Sequence, residues 1–168
     1  MHNINLGRDT DMNGKDEFKN RAVALFEQGY NCSQSVFGAY CTELGIDFET
    51  GLKISSSFGA GMGRLREVCG AVTGMFMVAG LKYGYTDPKD DVKKAEHYRL
   101  IQELASKFKE KNDTIICREL LGLGDKKESY VPNKRTKEYY KTRPCAHIIE
   151  DAAEIIYEFI KNEEIENK

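Results

Sequence analysis

Cysteine is the residue type in this chain best suited to chemistry, because its thiolate is both a nucleophile and a metal ligand. There are five: Cys32, Cys41, Cys69, Cys117 and Cys145. Four share one kind of setting. Cys32 follows Asn31, a good helix cap, and Cys117 follows Asp113-Thr114. Cys145 follows Thr142-Arg143-Pro144, and Cys69 follows a glycine-rich stretch and the pair Arg64 and Arg66. Each is therefore expected in the first turn of a helix. Unsatisfied N–H groups and the positive end of the helix dipole meet there, and both favour the thiolate. Arg118 and Arg143 are sequence neighbours that would add to this if they point toward the sulfurs. Cys41 lies on the same expected helix as Cys32. At about 100° per residue it falls on roughly the opposite face, and it reads as a packing residue. No Cys-x-x-Cys pair occurs, which argues against a zinc ribbon or a thioredoxin-like motif. A site assembled from four distant helix ends stays open.

Three chemistries suit such a set. In the first, two cysteines cycle between dithiol and disulfide by thiolate attack through a mixed disulfide. Cys69 is the expected partner in that cycle, because Gly70 removes a side chain beside its sulfur; Cys32, Cys117 and Cys145 are equivalent candidates for the other. In the second, Cys32, Cys69, Cys117 and Cys145 are thiolate ligands of zinc or an iron–sulfur cluster. His147 sits close enough in sequence to Cys145 to be weighed with them, but reads as a surface or capping residue. His97 is expected to face solvent from a charged helix, and His2 lies in the polar lead-in. In the third, the chain is a non-catalytic module for a partner or a small ligand such as haem. Tyr139 and Tyr140, in the basic stretch 134–143, are its candidate contacts, against the plainer reading of a loop packed on the core. No Cys-x-x-Cys-His attachment motif is present. The GAGMG run at 59–63 follows no strand and continues into no GxGxxG, and a P-loop Gly-Lys-Ser/Thr is also missing. That run reads as a tight, close-packed turn.

The elements that must hold these residues are helical. Phe18, Ala22, Leu25 and Phe26 share a face of a helix over about 15–28, ended by Gly29. Asn31 with Gln34 is a capping-box pattern opening a second helix to about Leu44. A third covers 48–57. A fourth starts near 64–67 and runs to Tyr83; it is apolar nearly all round and should be the central, buried helix. It contains Gly70, Gly74 and Gly80, each costing about 1 kcal/mol against alanine in a helix interior, so close approach of a neighbouring backbone is expected there. Asp87-Pro88 introduces a fifth helix to about Lys111, and a short one follows at 115–121. A charged loop over 125–143 and a last amphipathic helix from Pro144, a favoured first position, complete the chain. No alternating strand pattern of useful length appears. The expectation is an all-α, compact multi-helix bundle of about six to seven helices around a buried Gly-containing central helix. A flexible N-terminal lead-in over 1–14 precedes a single domain over 15–168.

The 168 residues carry 25 Lys and Arg against 27 Asp and Glu, a formal net charge of -2. That balance lacks the broad basic field that draws nucleic acid or an anionic membrane. The first fifteen residues are polar, with no secretory apolar segment. The longest uncharged apolar stretch, Val68 to Leu81, is too short to span a bilayer. These readings place the chain in the cytoplasm without membrane insertion. Thiols there are kept reduced, so a structural disulfide framework is not expected. The apolar helix faces permit a homodimer.

The segment GAGMGRLREVCGAVTGMFMVAGLKYG, from Gly59 to Gly84, together with YNCSQSV, CRELLG and PCAHIIEDAAEII, resembles the C-GCAxxG-C-C family, whose members are described as putative redox-active proteins. The resemblance covers about 17–157. It places the four family cysteines at Cys32, Cys69, Cys117 and Cys145, with Gly70, Ala71 and Gly74 completing the central motif, and leaves Cys41 outside the set. It implies a redox role for those four with an undefined redox partner. It also implies a link to transport, since family genes often lie near transporter genes, and related domains are attached to some haem proteins.

Overall fold

The computed structural model describes residues 6–166, with side chains from 14 onward. Its helical segments are α1 (Leu6–Glu27), α2 (Cys32–Tyr40), α3 (Phe48–Ser56), α4 (Gly59–Met62), α5 (Gly70–Tyr83), α6 (Asp91–Asn112), α7 (Cys117–Leu120), α8 (Lys137–Thr142) and α9 (Cys145–Glu166). Among the described residues the only extended pairing is an isolated antiparallel bridge between Val68 and Ile116. The class is all-α, as the periodicity predicts. The segments outnumber the expected six or seven because α4 and α8 are short turns in stretches that read as loop, while α7 falls within the short helix expected at 115–121. Residues 6–14 of the expected lead-in continue α1 toward the N-terminus; residues 1–5, with His2, lie outside the described residues.

Helix starts follow local chemistry. The Asn31 side chain accepts from the Gln34 amide while the Gln34 side chain accepts from the Asn31 amide, a complete capping box. Asp47 caps α3 and Asp90 caps α6 through their carboxylates. The central helix is α5, whose Val72, Met75, Val78 and Ala79 are fully buried. It packs on α2, α9 and α6, while α1 closes the far side against α2 and α9. Phe26 of α1, Leu104 and Phe108 of α6, and Ile149 and Ile156 of α9 complete the core.

Two of the three glycines of α5 meet the expected close approach. A Cβ at Gly70 would lie 3.0 Å from the Cys32 Cβ, and one at Gly74 would lie 2.9 Å from the Ser33 carbonyl oxygen. Backbone-to-backbone contact with α2 is therefore the reason side chains are missing there. Gly80 differs, since a Cβ there would meet nothing within 4 Å.

The start of α5 also differs from the expected 64–67. Ala60, Gly61, Met62 and Gly63 all have positive φ, and so do Arg64 and Arg66. The chain makes a left-handed turn at α4 before it reaches Gly70. Each non-glycine residue in that conformation costs roughly 1–2 kcal/mol. The turn is held by hydrogen bonds that the Met62 amide donates to the Phe58 carbonyl and the Gly63 amide to the Gly59 carbonyl.

Candidate functional site

The four cysteines expected at helix starts are found there. Cys32, Cys117 and Cys145 are the first residues of α2, α7 and α9, and Cys69 is the residue that caps α5. Cys69 and Cys117 are fixed relative to each other by a short two-stranded pairing. The Cys69 amide donates to Ile115 O at 2.8 Å, the Cys117 amide to Glu67 O at 2.7 Å and the Arg118 amide to Arg66 O at 3.2 Å. The left-handed turn presses against this pairing: a Cβ at Gly61 would lie 2.6 Å from the Cys117 Cβ. Close contact between α2 and the start of α5 brings Cys32 up to Cys69, and α9 delivers Cys145 from the far end of the chain. All four line one cavity of about 50 Å³, together with Arg66, Arg135, Arg143 and Tyr139. All are free thiols. Cys41 lies apart, buried beside Gly51, its thiol directed at the Gly38 carbonyl at 3.8 Å. It packs as its helical position predicts.

Position at a helix start does not by itself lower these thiols. Burial pushes Cys69 up to about 12, although the Ala71 and Val72 amides pull the other way. Burial also raises Cys117, against the opposing pull of Arg66, whose Nη1 lies 3.7 Å from its sulfur. Cys32 is raised well above the ordinary value, first by its hydrogen bond to Cys145 and then by burial. Cys145 alone is lowered, to about 7. The hydrogen bond from the Cys32 thiol is the main cause; burial opposes it, and Arg143, Arg135 and Arg66 add to the lowering. The arrangement is a thiol donating to a thiolate beneath three guanidinium groups. It suits Cys145 as nucleophile and Cys32 as the sulfur positioned next to it.

Arg143, Arg135 and Arg66 supply this field; Arg143 precedes Cys145 and Arg66 precedes Cys69 in sequence, whereas spacing did not point to Arg135. Arg66 is 3% exposed and binds Glu128. Arg135 stacks over Phe26 at 4.6 Å and Tyr139 at 4.7 Å. The only available signal was the aromatic-rich basic stretch around Tyr139 and Tyr140. Those tyrosines do pack on the core, against Phe26, and Tyr139 also lines the cavity. Arg143 points inward over Tyr139 at 5.0 Å. Arg118 turns away to the Gly124 and Leu65 carbonyls.

His147 is exposed and faces Glu150 and Asp151, away from the thiols. His97 is half-buried against Tyr85, contrary to the solvent-facing expectation. Among the described residues no three His, Cys, Asp or Glu side chains are grouped as metal ligands. Nor is any helix there long and apolar enough to cross a membrane.

Residues 30–159, which include all four cavity cysteines, match a family model described as "Putative redox-active protein (C_GCAxxG_C_C)". No curated protein and no solved structure matches the chain.

Proposed function

This chain belongs to the C-GCAxxG-C-C family, and from that premise we propose that it is a thiol–disulfide redox protein in which Cys145 attacks and Cys32 resolves. The observation that carries this reading is the Cys32–Cys145 contact under Arg66, Arg135 and Arg143. The Cys145 thiolate attacks one sulfur of a disulfide, forming a mixed disulfide and releasing the other half as a thiolate. Cys32 then gives up its proton, which the released thiolate takes, and its sulfur attacks Cys145. The second half leaves as a thiolate that takes a proton from water, and a Cys32–Cys145 disulfide remains. The protein loses two electrons and the substrate disulfide gains them; a dithiol donor reverses the change. Cys69 and Cys117, both raised by burial, shape the cavity in this scheme.

The test is oxidation of the reduced protein with one equivalent of disulfide, an acid quench, alkylation and peptide mapping. A Cys32–Cys145 crosslink, reversed by a dithiol, is the expected result. Retention of all five free thiols would sink the proposal.

A second reading, in which Cys32, Cys69, Cys117 and Cys145 hold zinc or an iron–sulfur cluster, has their shared cavity in its favour and, against it, that as placed no three of them are grouped as metal ligands. Native mass spectrometry of anaerobically purified protein separates the two. A bound metal mass, lost together with the fold on chelation, favours the metal. A metal-free protein with a reversible thiol pair favours the redox cycle. Inert thiols without metal favour a non-catalytic binding module.

A further inference from the structure

The small cavity holding the thiols opens beside a larger pocket of about 240 Å³, and the two share Asn31, Ala60, Arg66, Arg135, Tyr139 and Arg143 in their walls. Arg64 joins the outer wall, so four guanidinium groups surround the approach to the sulfurs. Neither lining includes an acidic side chain. Among the described residues the one carboxylate paired with these arginines is Glu128, which binds Arg66 and lies 3.6 Å from Arg64. Arg135 and Arg143 have no carboxylate partner in this arrangement; their guanidinium groups lie over the Tyr139 ring. Two donors are left over. Arg66 Nη2 and Arg135 Nη1 are buried and hydrogen-bond to nothing among the described residues. A buried charged donor without an acceptor is costly, and each lacks the acceptor that an anionic oxygen would supply.

Access decides the size of the ligand. Cys145 is 7% exposed, Cys69 5% and Cys117 6%. Sulfurs set this deep are reached more readily by a flexible low-mass disulfide than by one anchored in a folded protein. We propose that the substrate is a low-molecular-weight disulfide bearing carboxylate or phosphate groups, whose anionic end is held by Arg64, Arg66 and Arg135 in the outer pocket while its sulfur meets Cys145. This rests on the redox reading above. The chemistry is the exchange already described, with the small thiol released as the leaving group.

Four probes test it: glutathione disulfide with carboxylates, coenzyme A disulfide with phosphates, uncharged hydroxyethyl disulfide and cationic cystamine. The rate of Cys145 mixed-disulfide formation is measured for each by quenched mass spectrometry. Each rate is divided by that of the same disulfide with 2-mercaptoethanol, a thiol with no other charged group, which removes intrinsic reactivity. A cationic funnel raises encounter with anions by about tenfold or more, so at least one anionic probe should exceed hydroxyethyl disulfide by that factor and cystamine should fall below it. Whichever anion leads identifies carboxylate or phosphate as the recognised group. Added salt should erase the advantage without changing the hydroxyethyl rate. Arg64→Gln, which removes one cation of the outer wall together with its contacts to the Ser129 carbonyl and Glu128, should cut the ratio of the anionic to the hydroxyethyl rate severalfold. Equal normalised rates for all four probes would overturn the anion site while leaving the redox reading standing. Absence of both a Cys145 adduct and a Cys32–Cys145 disulfide with every probe, hydroxyethyl included, would overturn both.

Discussion

A thiol at Cys145 held near 7 is a thiolate for most molecules above neutral pH, and its reactivity falls about tenfold per unit below it. Iodoacetamide labelling of Cys145 should therefore rise through a midpoint near pH 7 and level off, while Cys69, pushed up to about 12 by burial, stays unlabelled across that range. Peptide-resolved labelling rates check both. Cys32→Ala removes the hydrogen bond that contributes most to the lowering, so the Cys145 midpoint should move up toward its ordinary value. The same variant should trap the mixed disulfide, because no neighbouring sulfur remains to resolve it. A midpoint unmoved by Cys32→Ala would show that the arginines alone set it. The sign for stability follows: the folded value lies below the unfolded one of about 8.5. The contribution of Cys145 to folding is therefore present above that value and lost as pH falls through about 7.

At the scale of elements, the crossing of α2 and α5 sets where Cys32 and Cys69 stand. It depends on the absence of side chains at Gly70 and Gly74. Gly74→Ala would drive a methyl to 2.9 Å from the Ser33 carbonyl oxygen. It should destabilise the protein by about 1–3 kcal/mol, the usual cost of overpacking, and slow formation of the Cys32–Cys145 crosslink. Gly80→Ala is the internal contrast. A Cβ there meets nothing, and alanine is the better helix former, so this change should stabilise α5 by up to about 1 kcal/mol. Thermal or denaturant unfolding of the two variants beside the parent reads the opposite signs directly. The left-handed turn at 60–63 is the other positioning element. Its contact with Cys117 through Gly61 explains why a stretch rich in glycine precedes the apolar helix.

At the scale of the whole molecule, Glu154 on α9 ties together helices from both ends of the chain. It pairs with Lys15 of α1 at 2.8 Å and Lys111 of α6 at 3.0 Å. Burial pushes the carboxyl up, but the hydrogen bonds from Lys15 and Lys111 override that and hold it at about 2. A carboxyl lowered in the folded state stabilises it fully above its unfolded value of about 4.3, and that stabilisation disappears as pH falls through about 2. Glu154→Gln should therefore cost on the order of 1 kcal/mol at pH 7. The gap between variant and parent should close as the pH of the melts approaches 2. A gap that persists at pH 2 would assign the effect to packing.

Helix class, the capping box at Asn31 and Gln34, the buried character of α5 and the exclusion of Cys41 were legible because each depends on residues close together in the chain. The same holds for the placement of Cys32, Cys69, Cys117 and Cys145 at helix starts, since caps, prolines and apolar spacing act within a turn or two. The motif around Gly59–Gly84 carried the family resemblance, and the family match spans all four cysteines. Other features depended on contacts between distant segments. The meeting of four helix ends in one cavity required α9 to return beside α2, and the lowering of Cys145 came first from Cys32, with Arg143, a sequence neighbour of Cys145, and the more distant Arg135 and Arg66 adding to it. The start of α5 shifted to Gly70 because the left-handed turn and the pairing of Val68 with Ile116 hold the preceding residues out of the helix. Which thiol ionises was decided by the Cys32–Cys145 hydrogen bond, which raises Cys32 and lowers Cys145, and by burial, which raises all four and is overcome only at Cys145, where three arginines add to the lowering.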